Sequence, residues 1–203
     1  MKLRIEYCVA VFACLSSFAS ADDWPQWMGP QRDDVYRETN IAKTMPEGGL
    51  PILWRTPIHG GYSGPAVAGG RVFVTDFQSA SGKSTNDSGT RDKVQGTERV
   101  VCLDEATGKE LWNVPYDLTY QISYANGPRA TPTVDGQLVY SLGAEGNLLC
   151  LEVMSGKVVW KKQLAEAYKT QAPIWGYAAH PLVYDELLIT LAGGEGSVVV
   201  GLD

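Results

Sequence analysis

The stretch "LDEATGKELW", residues 103–112, recurs 48 positions later as "LEVMSGKVVW", residues 151–160. In both copies an apolar stretch leads into a four-residue turn that ends in glycine, and a segment carrying tryptophan follows. Glycine supplies the positive φ that such hairpin loops commonly need. Tryptophan offers a large flat apolar surface that can fill the space between neighbouring sheets. The repeated stretch therefore indicates architecture rather than chemistry.

The repeat extends upstream and downstream of these two copies. A proline-containing stretch precedes each unit, as "GPAV" at 64–67, "TPTV" at 131–134 and "HPLV" at 180–183, and an apolar-alternating stretch follows each of them. A third copy of the strand before the turn ends the chain as "VVGLD", residues 199–203. A period of 48 to 51 residues with four short strands per unit is the signature of a β-propeller blade. We predict an all-β propeller of four-stranded antiparallel blades.

The same alignment gives the predicted boundaries. An N-terminal irregular segment covers residues 22–48, and the propeller begins at residue 49. Within it we expect a closure strand at 49–57, a blade at 62–115 with an exposed insertion at 77–97, a blade at 129–163 and an incomplete blade at 178–203. The residues that we assign to the structural repeat are Gly108, Trp112, Gly156, Trp160 and, in the closure strand, Trp54.

The first residues have the pattern of a secretory signal peptide. Lys2 and Arg4 precede an apolar run at 9–18, and the small residues 19–21 fit a cleavage site. We therefore predict a signal peptide at 1–21 and an exported protein, periplasmic or extracellular. A lipid-anchored form through Cys14 is the less favoured alternative. In the segment that follows, Trp24 and Trp27 are expected to cover apolar surface of the propeller.

Charge and composition exclude several classes of partner. The chain has a formal net charge of −6 and no basic run, which argues against binding to nucleic acid or to an anionic membrane surface. Beyond the signal peptide no stretch is long and apolar enough to cross a bilayer. The only histidines, His59 and His180, have no second ligand at metal-binding spacing, so no metal site is predicted.

The two cysteines outside the signal peptide are Cys102 and Cys150. They occupy equivalent positions in successive units, which should hold them too far apart for a disulfide. We expect two small buried thiols.

One set of polar and aromatic residues is a candidate ligand site. Segments that lead into the innermost strands should converge on the mouth of the central channel, and they carry Tyr62, Tyr124, Asn126, Arg129, Trp175 and His180. Such a rim could bind a small anionic or aromatic ligand. The alternative is that the aromatic residues pack between blades and that Arg129 pairs with a carboxylate. No acid–base pair lies beside these residues, so no catalytic residue is predicted.

The stretches "LDEATGKELW" and "GPRATPTVDGQLVYSLGAEGNLLCLE" resemble the PQQ-like β-propeller repeat family, which includes quinoprotein alcohol dehydrogenases and the outer-membrane assembly scaffold BamB. The opening "DWPQWMGP" resembles exported members of this family from planctomycete bacteria. The resemblance implies seven or eight blades, so about three blades are expected here and the sequence would be an N-terminal fragment.

The resemblance leaves the activity open, since the same ring carries enzymes and scaffolds. The family's enzymes hold pyrroloquinoline quinone (PQQ) and calcium at the centre of the ring, typically with adjacent cysteines, which this sequence lacks. We expect no cofactor in this stretch and a binding or scaffold module of the cell envelope, with envelope proteins or a small ligand at the channel mouth as partners. The alternatives are a PQQ-dependent dehydrogenase with ligands in the missing part, and a carbohydrate- or polymer-binding accessory domain.

Overall fold

The structure, a computed structural model, describes residues 22–39, 41–83 and 86–203. The predicted signal peptide lies outside the described residues.

Three antiparallel sheets follow one another along the chain, each built from strands that are consecutive in sequence. The first sheet consists of β1 (Ala66–Ala68), β2 (Arg71–Ser79), β3 (Val94–Asp104) and β4 (Glu110–Tyr120). The second consists of β5 (Thr133–Asp135), β6 (Leu138–Leu142), β7 (Asn147–Glu152) and β8 (Val158–Gln163), and the single-turn helix α1 (Leu164–Ala167) follows it. The third consists of β9 (Leu182–Tyr184), β10 (Leu187–Gly194) and β11 (Ser197–Leu202). Successive meandering sheets of this kind are the blades of a β-propeller, which confirms the predicted fold class.

The hydrophobic core lies between the blades. Val100 and Cys102 on β3 pack with Val139 on β6 and Leu151 on β7, so the core joins the first sheet to the second. A second core joins the second sheet to the third through buried residues that include Leu142, Leu148 and Leu188. Each blade therefore buries its apolar face only against its neighbours, as in other repeat folds.

Cys102 and Cys150 are buried and unpaired, as predicted. Burial raises the pKa of the Cys102 thiol to about 11 and raises the pKa of Cys150 as well. Both thiols therefore remain protonated and act as small core residues.

A tryptophan of the first blade is docked on a turn of the second. The indole Nε1 of Trp112 donates a hydrogen bond of 3.0 Å to the carbonyl oxygen of Val153. Its ring lies against Gly156, where a Cβ atom would come within 2.7 Å of the ring. Gly156 has φ +70°, so this position needs glycine for its backbone and for the approach of the ring. The repeated motif is thus the contact that fixes one blade on the next.

Trp54 makes the same contact with the first blade. Its Nε1 donates a hydrogen bond of 2.8 Å to the carbonyl oxygen of Glu105, and its ring covers Gly108. The closure strand at 49–57 stays a prediction, because it was expected to complete a further blade; no strand is assigned to these residues here. A strand needs a hydrogen-bonded neighbouring strand, and none of the described strands pairs with this stretch.

The insertion predicted at 77–97 is shorter than expected. β2 continues to Ser79 and β3 begins at Val94, so both ends of the predicted loop belong to a longer hairpin. Phe77 is buried and stacks on Tyr120 at a centroid distance of 4.1 Å. The hairpin is extended because β4 runs on to Tyr120 and provides a partner for the whole of β3.

The tryptophan contact can be tested with two matched glycine variants. Gly136 has φ +55° and no atom within 4 Å of an added Cβ, so Gly136→Ala carries only the backbone cost. We expect Gly136→Ala to lower the free energy of unfolding by about 1–2 kcal/mol. Gly156→Ala also displaces Trp112 and should lower it by about 1–3 kcal/mol more. Urea unfolding of the full-length protein measures both values, and equal losses would contradict the docking role of Trp112.

Candidate binding face

One edge of the blades carries the connections that could form a binding site. Because neighbouring strands are antiparallel, the segments that lead into the inner strands, the β2–β3 connection and the crossings to the next blade all lie at this edge. We call it the loop face. It is formed by residues 60–64, 86–93, 121–132, 143–146 and 168–181.

The inner strands of the three blades are crossed by the chain's own N-terminal segment, residues 22–34, which we call the strap. On β1, Trp24 and Val67 exchange backbone hydrogen bonds of 2.8 and 2.9 Å. On β5, the N–H of Val134 donates a hydrogen bond of 2.8 Å to the carbonyl oxygen of Pro25. The guanidinium of Arg32 donates to the carbonyl oxygen of Pro181, immediately before β9. The strap therefore satisfies backbone groups on exposed strand edges that would otherwise face the channel.

His180 is held by the strap. Its ring stacks on Trp27 with a centroid distance of 4.3 Å and an interplanar angle of 1°. Its Nδ1 atom accepts a hydrogen bond of 2.8 Å from the backbone N–H of Thr131. Burial, and then the positive charge of Arg32, lower the pKa of His180. The imidazole must be neutral to accept this hydrogen bond, so its protonation weakens the contact.

Four side chains form an exposed patch on the loop face. Tyr62 is 43% exposed, Tyr124 is 38%, Ile174 is 51% and Trp175 is 62%. We call these four residues the loop-face patch. Tyrosine and tryptophan are enriched at the core of protein interfaces.

The loops that carry the patch are joined by hydrogen bonds. The hydroxyl of Tyr62 donates a hydrogen bond to the side-chain oxygen of Asn86. The N–H of Tyr124 donates a hydrogen bond of 3.1 Å to the carbonyl oxygen of Asp87. The N–H of Ser123 donates 2.8 Å to the carbonyl oxygen of Ile174. Four segments of the loop face therefore hold the patch in one arrangement.

Arg129 lies beneath the patch and supports it. Its guanidinium carbon is 5.0 Å from the ring centroid of Tyr62, a cation–π contact. The guanidinium donates to the carbonyl oxygens of Ser123, Tyr124 and Gly127, at 2.9 and 2.6 Å for the first two. The sequence analysis left open an ion pair between Arg129 and a carboxylate. No such ion pair is formed among the described residues. Backbone carbonyls take its place because the 123–127 turn folds around the side chain.

The structure divides the six predicted rim residues. Tyr62, Tyr124 and Arg129 lie in one cluster, and Asn126 belongs to the same turn, where its N–H donates 2.7 Å to the carbonyl oxygen of Tyr124. Trp175 follows Ile174 at the edge of this cluster. His180 is not part of it, because its two ring contacts are with the strap and with Thr131.

A buried carboxylate that the sequence analysis missed connects the first two blades. Glu98 on β3 is fully buried, and its two oxygens accept hydrogen bonds from the hydroxyls of Tyr116 and Tyr120. The N–H of Ala144 in the second blade approaches the same carboxylate at 3.4 Å. Burial raises the pKa of Glu98, while these three hydrogen bonds act in the opposite direction. The group serves as a polar connection inside an apolar interface.

The described residues do not by themselves form a metal site of the kind that PQQ and calcium need. They include no group of three His, Cys, Asp or Glu side chains placed to hold a metal ion. The cysteines are separate core residues, and the strap lies across the inner strands. No helix within the described ranges has the length and apolar character needed to cross a membrane.

The contact between His180 and Trp27 predicts a dependence on pH. Since the docked state holds His180 neutral with a lowered pKa, docking is fully stable above the ordinary histidine pKa of about 6.5 and weakens as the pH falls through the lowered value. The fluorescence of Trp27, taken as the difference between wild type and Trp27→Phe, should change in a step with a midpoint below about 6.5. His180→Gln should lack this step; a step that persists in this variant would contradict the assignment.

Comparisons with known proteins place the chain in a family. The family model described as "Outer membrane protein assembly factor BamB" matches residues 96–203, just over half of the chain. Quinoprotein alcohol dehydrogenase PedH of Pseudomonas putida is 33% identical over 106 residues, which are 50% of this chain and 17% of the dehydrogenase.

Two solved structures are similar in part. A europium-containing methanol dehydrogenase matches with a TM-score of 0.42 and 13% identity over 73% of this chain and 22% of its own. BamB from Moraxella catarrhalis matches with a TM-score of 0.33 and 22% identity over 50% of this chain and 28% of its own. The chain thus spans less than a third of each of these relatives. On the strength of the family model, which covers the nine strands from β3 to β11, the chain belongs to the PQQ-like repeat family that includes BamB.

Proposed function

We propose that this chain is part of an exported propeller that acts as a binding or scaffold module in the cell envelope, and that the loop-face patch contacts a partner protein. The observation that carries the proposal is the exposure of Tyr62, Tyr124, Ile174 and Trp175 on one face. The family model, whose description is that of an assembly factor, supports a role of this class.

The geometry of the patch supports protein binding in a second way. Arg129 and the hydrogen bonds between the four loop-face segments hold the patch before a partner arrives. A surface that is already ordered loses little conformational entropy on binding. Exposed Trp and Tyr side chains on an ordered surface are the residues that most often dominate the energy of a protein interface.

The test is a crosslinking pull-down with the full-length protein from its own envelope extract. Trp175→Ala should weaken capture of the partner by about 30-fold, the usual cost of losing an interface tryptophan. Tyr184→Ala is the matched control, because Tyr184 is 64% exposed but lies at the end of β9, away from the loop face. Equal capture by wild type and Trp175→Ala, or equal loss in both variants, would contradict the proposal.

A PQQ-dependent dehydrogenase is the second candidate, favoured by the 33% identity with the quinoprotein alcohol dehydrogenase. Titration of the full-length protein with PQQ and calcium, followed by calorimetry and absorbance, separates the two functions. Tight, calcium-dependent binding near one quinone per chain would favour the dehydrogenase. Absence of binding at high quinone concentration is the result that the binding-module proposal expects.

A further inference from the structure

The loop face also contains a recess that shares no residue with the loop-face patch. It lies at the junction of the first two blades and the segment around α1. It is a cleft of about 500 Å³, within the range of small-molecule sites. Its walls carry five polar side chains and two alanines, and the polar residues are Arg91, Gln121, Glu145, Thr170 and Gln171.

Two charged side chains of the cleft are anchored on a single residue. The backbone N–H of Gln121 donates a hydrogen bond of 2.6 Å to Oε1 of Glu145, and the backbone oxygen of Gln121 accepts one of 3.2 Å from Nε of Arg91. The turn that carries Glu145 is also fixed by Gln163, because Nε2 of Gln163 donates a hydrogen bond of 2.8 Å to the backbone carbonyl oxygen of Glu145. A carboxylate and a guanidinium are thus positioned side by side without a ligand.

These two groups do not neutralise one another by direct contact. No ion pair joins Arg91 and Glu145 in the part of the chain that the structure describes. Among the described residues, the side chain of Arg91 forms a hydrogen bond only through Nε, and that of Glu145 only through Oε1. The terminal guanidinium nitrogens and the second carboxylate oxygen are therefore left for a ligand. Burial raises the pKa of Glu145, so this carboxylate has already lost part of its hydration.

We propose that this cleft binds a neutral saccharide. A sugar hydroxyl donates to a carboxylate and accepts from a guanidinium, so neighbouring hydroxyls can engage Glu145 and Arg91 together. Because Arg91 and Glu145 carry no net charge together, the pair by itself selects neither an anion nor a cation, and the neutral groups of Thr170 and Gln171 suit a ligand with several hydroxyls. The small side chains of the two alanines leave room for a ring. This inference concerns a different site from the patch and does not depend on the protein-binding proposal.

The experiment measures binding of D-glucose, D-mannose and D-galactose to the full-length protein by saturation-transfer NMR and calorimetry. We expect millimolar binding of at least one of these sugars to the wild-type protein. Glu145→Gln keeps an oxygen for the N–H of Gln121 but removes the charge, and it should weaken binding about ten-fold or more. Arg91→Gln, at an exposed position where folding is not at risk, should do the same. Glu166→Gln, an exposed carboxylate on α1 outside the cleft lining, is the matched control and should bind as wild type does.

Three outcomes would overturn the proposal. The first is that none of the three sugars binds the wild-type protein. The second is that the sugars bind equally well to wild type, Glu145→Gln and Arg91→Gln, which would place the sugar site elsewhere. The third is that glycine, tested as a zwitterion, binds in place of the sugars with the same dependence on Glu145 and Arg91. If Trp175→Ala loses partner capture but still binds sugar, the patch and the cleft are independent sites.

Discussion

The contact of a tryptophan on one blade with a glycine turn on the next is the interaction on which the rest of the structure depends. Each blade is a small meandering sheet that cannot bury its apolar face alone. Trp112 joins the first blade to the second through the carbonyl oxygen of Val153 and the open surface of Gly156. With the blades fixed at this edge, the interblade core closes and the connections at the opposite edge converge on the loop face.

The strap determines which surfaces remain for function. Its backbone pairs with β1 at Val67 and with β5 at Val134, and its side chains reach His180 and Pro181 before β9. The part of the channel wall formed by these strands is therefore covered by the chain itself. The exposed surfaces include the loop-face patch and the polar cleft, and both lie where neighbouring blades and their loops meet.

Much of the fold could be predicted from the sequence because the repeat carries its physical reason in each copy. The turn glycines, the docked tryptophans and the buried cysteines follow from local spacing. The backbone pairing of the strap could not be predicted, because its partners are single residues in or next to three strands that lie far apart in the sequence. The burial of Glu98 was predictable from the sequence, since Glu98 alternates with Val100 and Cys102 on the face of β3 that meets the second blade. Arg129 lies beside Tyr62 on the loop face, but its backbone partners depend on the turn at 123–127, which has no sequence signature.

Hydrogen–deuterium exchange of the full-length protein is the measurement that tests the central claim most directly, namely that the strap is bound along the inner strands. The account predicts slow exchange for the amides of Trp24, Val67 and Val134, because each donates to a backbone carbonyl across the strap contact. Exchange of these three amides at the rate of an unstructured peptide, with the amides of β3 and β7 still protected, would contradict it. The inner strands would then be open to a ligand, and the channel rather than the loop face would be the place to look for function.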